Sequence, residues 1–237
     1  MCRLVGRTAA DDYPVSAVNP IEVVASVKPN YERLAALKPD LVVYDAALFS
    51  QEDIDKVKSV TGATVFAIQA NTIDDFTKEM YVLGSMVAAE SNFNSYVNKI
   101  IAEVGASKSE PFSPVPKVAV ILPGDSGRDY IAGTKSFVAS AVEAAGGQPV
   151  GPEDTKFVAV NPESLVALNP DVIVVSGSKL NMQGVLALLK NPRYQTLSAI
   201  KNNRVRAIDE DVLIRRGTRV DQLIKAMHQS IAPGGGA

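Results

Sequence analysis

One stretch of this chain occurs twice. Residues 31–43 (YERLAALKPDLVV) return as residues 162–174 (PESLVALNPDVIV), and Glu32 and Glu163, like Pro39 and Pro170, stand 131 positions apart. Each copy reads as a short helix, a Pro-Asp turn and a buried strand. Two such copies this far apart point to two α/β lobes of similar construction, each with one glutamate at the same place.

The length of 237 residues suffices for two lobes with separate cores. A net charge of −2 offers no electrostatic footprint for nucleic acid or an anionic membrane. No apolar run approaches the roughly 20 residues that span a bilayer. Cys2 is the single cysteine, so no intrachain disulfide can form. It leads into Leu4-Val5-Gly6 and reads as a strand residue rather than a lipid-anchor cysteine. No export signal opens the chain.

Short β-rich runs bounded by Gly, Pro or Asp predict strands over residues 3–6, 40–44, 64–68, 117–122, 171–175 and 204–208. Most are continuously apolar, as expected of parallel strands covered on both faces. Ser50 with Asp53 predicts a capped helix through about residue 59, and Ser136 opens another that stops at Gly146-Gly147. Residues 72–106 keep a helical pattern with a break near Glu90-Ser91, and the Pro/Ser-rich residues 107–116 form a connector. The expected organisation is an N-terminal lobe over residues 1–88, a connecting helix and linker over 89–116, a C-terminal lobe over 117–232 and a disordered tail over 233–237. A helical connection resists bending, so a stiff hinge is expected. The fold class is α/β, with two Rossmann-like lobes built on parallel sheets.

Several motifs occur in an order that resembles a known family: Leu4-Val5-Gly6-Arg7-Thr8, Asp12-Tyr13-Pro14, Lys28-Pro29-Asn30-Tyr31-Glu32, Leu37-Lys38-Pro39-Asp40-Leu41-Val42, Ala132-Gly133-Thr134-Lys135-Ser136-Phe137, Asn169-Pro170-Asp171-Val172-Ile173 and Ile200-Lys201-Asn202-Asn203-Arg204-Val205. Together they look like the helical-backbone substrate-binding proteins of ABC importers for ferric siderophores, haem and vitamin B12. The likeness runs from about residue 3 to 231. Members of that family begin with a further strand and helix, preceded by an export signal, so the resemblance implies a first lobe lacking its initial strand and helix. It also implies an extracytoplasmic full-length protein, in the periplasm or on the cell surface as a lipoprotein. The membrane would then be reached only through a permease or a missing lipid anchor.

Asn30 and Asn161 are placed as helix N-caps, which puts Glu32 and Glu163 at the second helical position. A carboxylate there complements the helix dipole for about 0.3–1 kcal/mol. The resemblance adds a second role, docking on permease arginines. Ligand contacts are expected from loops after strand ends, at Tyr44, Asp45, Gln69, Arg128, Tyr130, Ser176, Arg215 and Arg216. The planar fork of arginine suits carboxylate or phosphate, so three arginines suggest an anionic ligand such as a ferric siderophore. Tyr44 and Tyr130 offer aromatic faces or a phenolate to iron, although a tyrosine at a strand end is commonly half-buried with a wet hydroxyl. The absence of Trp weakens a corrinoid or haem reading.

His228, the single histidine, falls in the last helical pattern among Ile224, Met227 and Ile231 and reads as a helix-surface residue, so no bare metal site is expected. Gly124-Asp125-Ser126-Gly127 matches part of a serine-protease signature, with His228 as the sole candidate base, but the rest of that signature is missing. The function the resemblance implies is that of a solute-binding component of an ABC importer, not an enzyme. It would capture a metal chelate, most readily a ferric siderophore, in an interlobe cleft, with no cofactor of its own. Cobalamin or haem binding is the alternative within the family, a hydrolase using Ser126 the alternative outside it. A sensory module remains open beside transport.

Overall fold

The computed structural model describes residues 3–15, 21–25, 28–124, 129–177 and 189–234. Cys2, Asp125, Ser126, Gly127, Arg128, Ser178 and the last three residues of the expected tail lie outside them. The chain divides into two compact units. The first comprises residues 1–69 and 79–93, the second 70–78 and 94–237.

In the first unit the strands form two separate parallel pairs. Strand β1 (Gly6–Thr8) pairs with β2 (Glu22–Ala25), with an irregularity between Arg7 and Thr8. The first strand thus starts three residues later than the sequence pattern predicts, and β2 has no counterpart in that prediction. Pairing decides both: Gly6 sits so close to the side chain of Val24 that a Cβ there would lie 3.0 Å from it. Helix α1 (Tyr31–Leu37) leads into β3 (Leu41–Asp45), and helix α2 (Gln51–Thr61) into β4 (Thr64–Ile68). β3 and β4 run parallel, from Leu41 opposite Thr64 to Asp45 opposite Ile68. The core here is small: Val24, Leu34 and Val57, with Tyr31, Leu37 and Val42 packed against it.

Helices α3 (Ile73–Met86) and α4 (Glu90–Ser109) are separated by a break just before Glu90, where Ala88 takes a left-handed conformation. Helix α4 continues three residues into the expected connector, because Ser107 is buried and still packs as part of the helix.

The second unit carries a six-stranded sheet in the order β10 (Val205–Ile208), β9 (Val172–Ser176), β5 (Lys117–Leu122), β6 (Asp129–Ala132) and β8 (Phe157–Val160), with β7 (Gln148–Pro149) also on β5. β5, β9 and β10 are parallel, and every residue of β9 is buried. That agrees with the continuous apolar runs. The other side of the sheet differs from the all-parallel expectation. Residues expected as loop form β6, antiparallel to both β5 and β8. β6 lies between Gly127 and Gly133 in the sequence and β8 between Asp154 and Asn161-Pro162, but their direction and place in the sheet are set by their partners. Helix α5 (Phe137–Ala144) is capped by Ser136, and α6 (Pro162–Leu168) precedes β9. The short helices α7 (Ser198–Lys201) and α8 (Glu210–Leu213) flank β10, and α9 (Val220–Ile231) closes the chain. Val220, Leu223, Ile224, Met227 and Ile231 form the buried stripe of α9 at helical spacing.

Candidate functional site

Both repeat helices form as the sequence predicts. Asn30 Oδ1 accepts from the Arg33 amide at 3.1 Å, and Asn161 Oδ1 from the Ser164 amide at 2.7 Å. Glu32 and Glu163 are the second residues of their helices and both are exposed. Their surroundings differ. Glu163 lies 3.5 Å from Arg193, which sits in a 3-10 turn (Pro192–Tyr194). In the other copy Arg33 turns away, toward Glu22 at 3.5 Å and the Val23 carbonyl at 3.0 Å.

In the first unit Tyr44, Asp45 and Gln69 gather at the carboxyl end of β3 and β4. Asp45 accepts from the Ala47 amide at 2.8 Å, a local turn that fixes its carboxylate, while Ala46 donates to the Ile68 carbonyl at 2.9 Å. Tyr44 is half-buried and Gln69 exposed. The Gln69 amide donates to Glu79 Oε1 at 3.0 Å, and Glu79 Oε2 is buried with no partner among the described residues. Glu79 lies inside a helix, and no sequence motif marks it.

In the second unit strand register aligns the candidates. Tyr130 stands opposite Leu122, and the β5–β9 register brings Ser176 to the far side of Leu122, opposite Ile208. Ser176 is 1% exposed and Tyr130 36%. Tyr130, like Tyr44 and Asp45 in β3 and Ser176 in β9, is a strand residue and not the loop residue expected. Just past the same edge Asp209 caps α8, accepting from the Asp211 and Val212 amides. The chain then reaches Arg215 and Arg216. Arg215 pairs with Asp211 one turn back at 2.6 Å, and Arg216 Nη1 donates to the Ala70 carbonyl at 2.6 Å. Tyr96 of α4 also meets this loop: its hydroxyl donates to the Gly217 carbonyl at 2.6 Å and accepts from the Val220 amide at 3.1 Å. Burial raises its phenol above the ordinary tyrosine range. Arg128 lies outside the described residues.

The second unit also buries a polar pair that the sequence does not announce. The Tyr194 hydroxyl donates to Asp129 at 3.0 Å, both residues being buried, and burial beside that carboxylate pushes the phenol upward.

A family profile described as a periplasmic binding protein matches residues 2–212. This chain belongs to that family. The uncharacterized ABC transporter substrate-binding lipoprotein YvrC of Bacillus subtilis is 26% identical over 98% of this chain and 74% of its own length. A cobalamin-binding protein of Halobacterium salinarum is 25% identical over 81% of the chain; the aligned region spans only 53% of that relative. Among solved structures, the periplasmic heme-binding protein BhuT, in complex with two hemes, superposes with a TM-score of 0.82 at 21% identity, over 97% of this chain and 88% of that one. At that identity the likeness shows the fold.

Membership makes this a binding protein rather than an enzyme. His228 is correspondingly a packing residue, and not the helix-surface residue expected. Its ring stacks on Phe112 at 4.9 Å, its Nδ1 lies 3.0 Å from the Ala145 carbonyl, and its side chain is 17% exposed. Ser126 lies outside the described residues. Among the described residues no cluster of three or more His, Cys, Asp or Glu side chains could hold a metal ion, and no helix is long and apolar enough to cross a membrane.

Proposed function

We propose that this periplasmic binding protein is the substrate-binding component of an ABC importer, and that its ligand is an iron chelate bearing carboxylates: haem, or a ferric siderophore of that chemistry. The observation that carries this reading is the arginine loop after α8. Arg215 pairs with Asp211, and Arg216 is anchored on the Ala70 carbonyl, a bond that orients the planar guanidinium fork. Tyr130, in line with Ser176 at the carboxyl end of the sheet, adds an accessible phenol suited to a flat ligand or a ferric centre. The heme complex of the similar BhuT supports the same class.

Absorbance titrations of the purified protein with haemin, a carboxylate ferric siderophore and cyanocobalamin test the reading and separate its two sources. Binding of either iron chelate is expected to weaken as salt rises. A second reading, corrinoid binding, draws on the Halobacterium relative. Tight cobalamin binding with no chelate binding would establish it and overturn the first.

Delivery is proposed to use Glu32 and Glu163 as one carboxylate per unit facing cationic groups of the permease. Their exposure and matched helix positions support that role. The protein is expected to work outside the cytoplasm, as a periplasmic protein or a surface lipoprotein.

A further inference from the structure

We infer that Tyr96 is the positioning residue for the anion-recognising arginines, holding the 214–219 loop in the geometry in which Arg216 meets a carboxylate of the ligand. The inference rests on the reading of the ligand given above.

The loop is bounded by two fully buried residues, Leu213 and Val220. Helix α9 begins at Val220, and its N-cap residue Arg219 supplies no side-chain cap. The first amides of a helix have no partner inside it. Here the Val220 amide gives its hydrogen to the Tyr96 oxygen, so a residue 124 positions earlier acts as the cap. The same hydroxyl donates its own hydrogen to the Gly217 carbonyl. One oxygen thus ties both the loop and the helix start to α4, using its donor and one of its two acceptor sites. Between these ties and the buried Leu213 stand Arg215 and Arg216. Arg216 adds a third tie through the Ala70 carbonyl. A phenol raised by burial keeps its proton throughout the neutral range, so the Gly217 bond persists there.

Bidentate recognition of a carboxylate demands tight placement of the guanidinium plane. Loss of the Tyr96 oxygen frees the Gly217 carbonyl and the Val220 amide together, and the arginine fork loses its alignment while its charge remains. The effect should therefore fall on discrimination between a free and a masked carboxylate.

The test measures haemin and haemin dimethyl ester affinities, in one detergent buffer, for the wild type and Tyr96→Phe. The wild type is expected to prefer haemin by about tenfold or more, the value of one charge-assisted hydrogen bond. Tyr96→Phe should shrink that preference to about threefold or less while ester affinity holds. General destabilisation would lower both affinities alike and leave the ratio unchanged, and a ratio retained in Tyr96→Phe would overturn the inference alone. A wild type that binds haemin and its ester equally would overturn the inference together with haem as the ligand, leaving the siderophore titration to decide the rest of that reading. Should Tyr96→Phe fail to fold, the comparison is made in a Gly105→Ala background, which stiffens the same helix at an exposed position.

Discussion

At the scale of single residues, Asp53 shows how one carboxylate binds several parts of a unit. It accepts from the Ser50 hydroxyl at 2.6 Å and the Tyr31 hydroxyl at 2.7 Å, while Ser50 accepts from the Asp53 amide. These bonds, that from Ser50 foremost, hold the Asp53 carboxyl below its ordinary value. A carboxyl lowered on folding stabilises the native state above its unfolded value of about 3.9, and that contribution disappears as pH falls through the lower folded value. NMR titration should find Asp53 below that reference, and Tyr31→Phe should move it upward; an unchanged titration would show that the Tyr31 bond is not formed in solution. Ser50→Ala removes the cap and should cost about 1 kcal/mol in denaturant unfolding. Tyr194→Phe leaves the buried Asp129 without its donor and should cost about 1–3 kcal/mol.

At the scale of elements, the two repeat copies use one design with different consequences. Both helices end on a left-handed residue that is not glycine, Lys38 at φ 47° and Asn169 at φ 41°. Lys38 is exposed and its side chain makes no described bond, so Lys38→Gly should relieve strain and raise stability by about 0.5–1 kcal/mol. Asn169 has a second role. Its Oδ1 accepts from the Ser198 amide at 2.9 Å and so caps α7, whose own N-cap residue Leu197 offers no side-chain bond. Asn169→Gly should therefore lower stability by about 0.5–1 kcal/mol despite the relieved strain. Thermal unfolding of the two variants gives opposite signs if the two caps are as described. Glycines separate likewise. A Cβ on Gly133 would lie 2.1 Å from the Asp154 carbonyl oxygen, so Gly133→Ala should cost about 3 kcal/mol or more, whereas one on Gly105 meets nothing.

At the scale of the whole molecule, the two units differ in how much they bury. No residue of β3 or β4 is fully buried, while four of the six residues of β5 and all of β9 are. Hydrogen exchange should therefore be faster in β3 and β4 than in β5 and β9, and unfolding should proceed in two steps with the first unit melting earlier. A single transition with uniform protection would show that the units fold as one. Transport is also a property of the whole. Charge reversal of Glu32 and Glu163 to Arg is expected to leave ligand affinity unchanged and to abolish uptake in a reconstituted importer, since like charges across an interface cost several kcal/mol. Intact uptake by that double variant would leave both carboxylates as ordinary helix-end residues.

What the sequence determined by itself is what local chemistry dictates. The repeat, the caps at Asn30, Ser50, Ser136 and Asn161, and the apolar runs of β4, β5 and β9 depend on residues within a turn or on both faces of one strand. They were legible for that reason. Tertiary structure alone decided whatever depends on a distant partner. The short runs of β2 (EVVA) and β8 (FVAV) have strand composition, but which strands β2, β6 and β8 join, and in which direction, is set only by their partners. Tyr96 and Asn169 cap helices remote from them in the chain, and their type and position give no hint of it. Arg193, opposite Glu163, is brought there by a separate 3-10 turn. The candidate ligand residues divide the same way. Gln69 just past β4, and Tyr44, Asp45 and Ser176 in the last residues of β3 and β9, stand at strand ends as the α/β pattern leads one to expect, whereas the anchoring of Arg216 on Ala70 joins residues 146 positions apart and becomes visible only when the chain is folded.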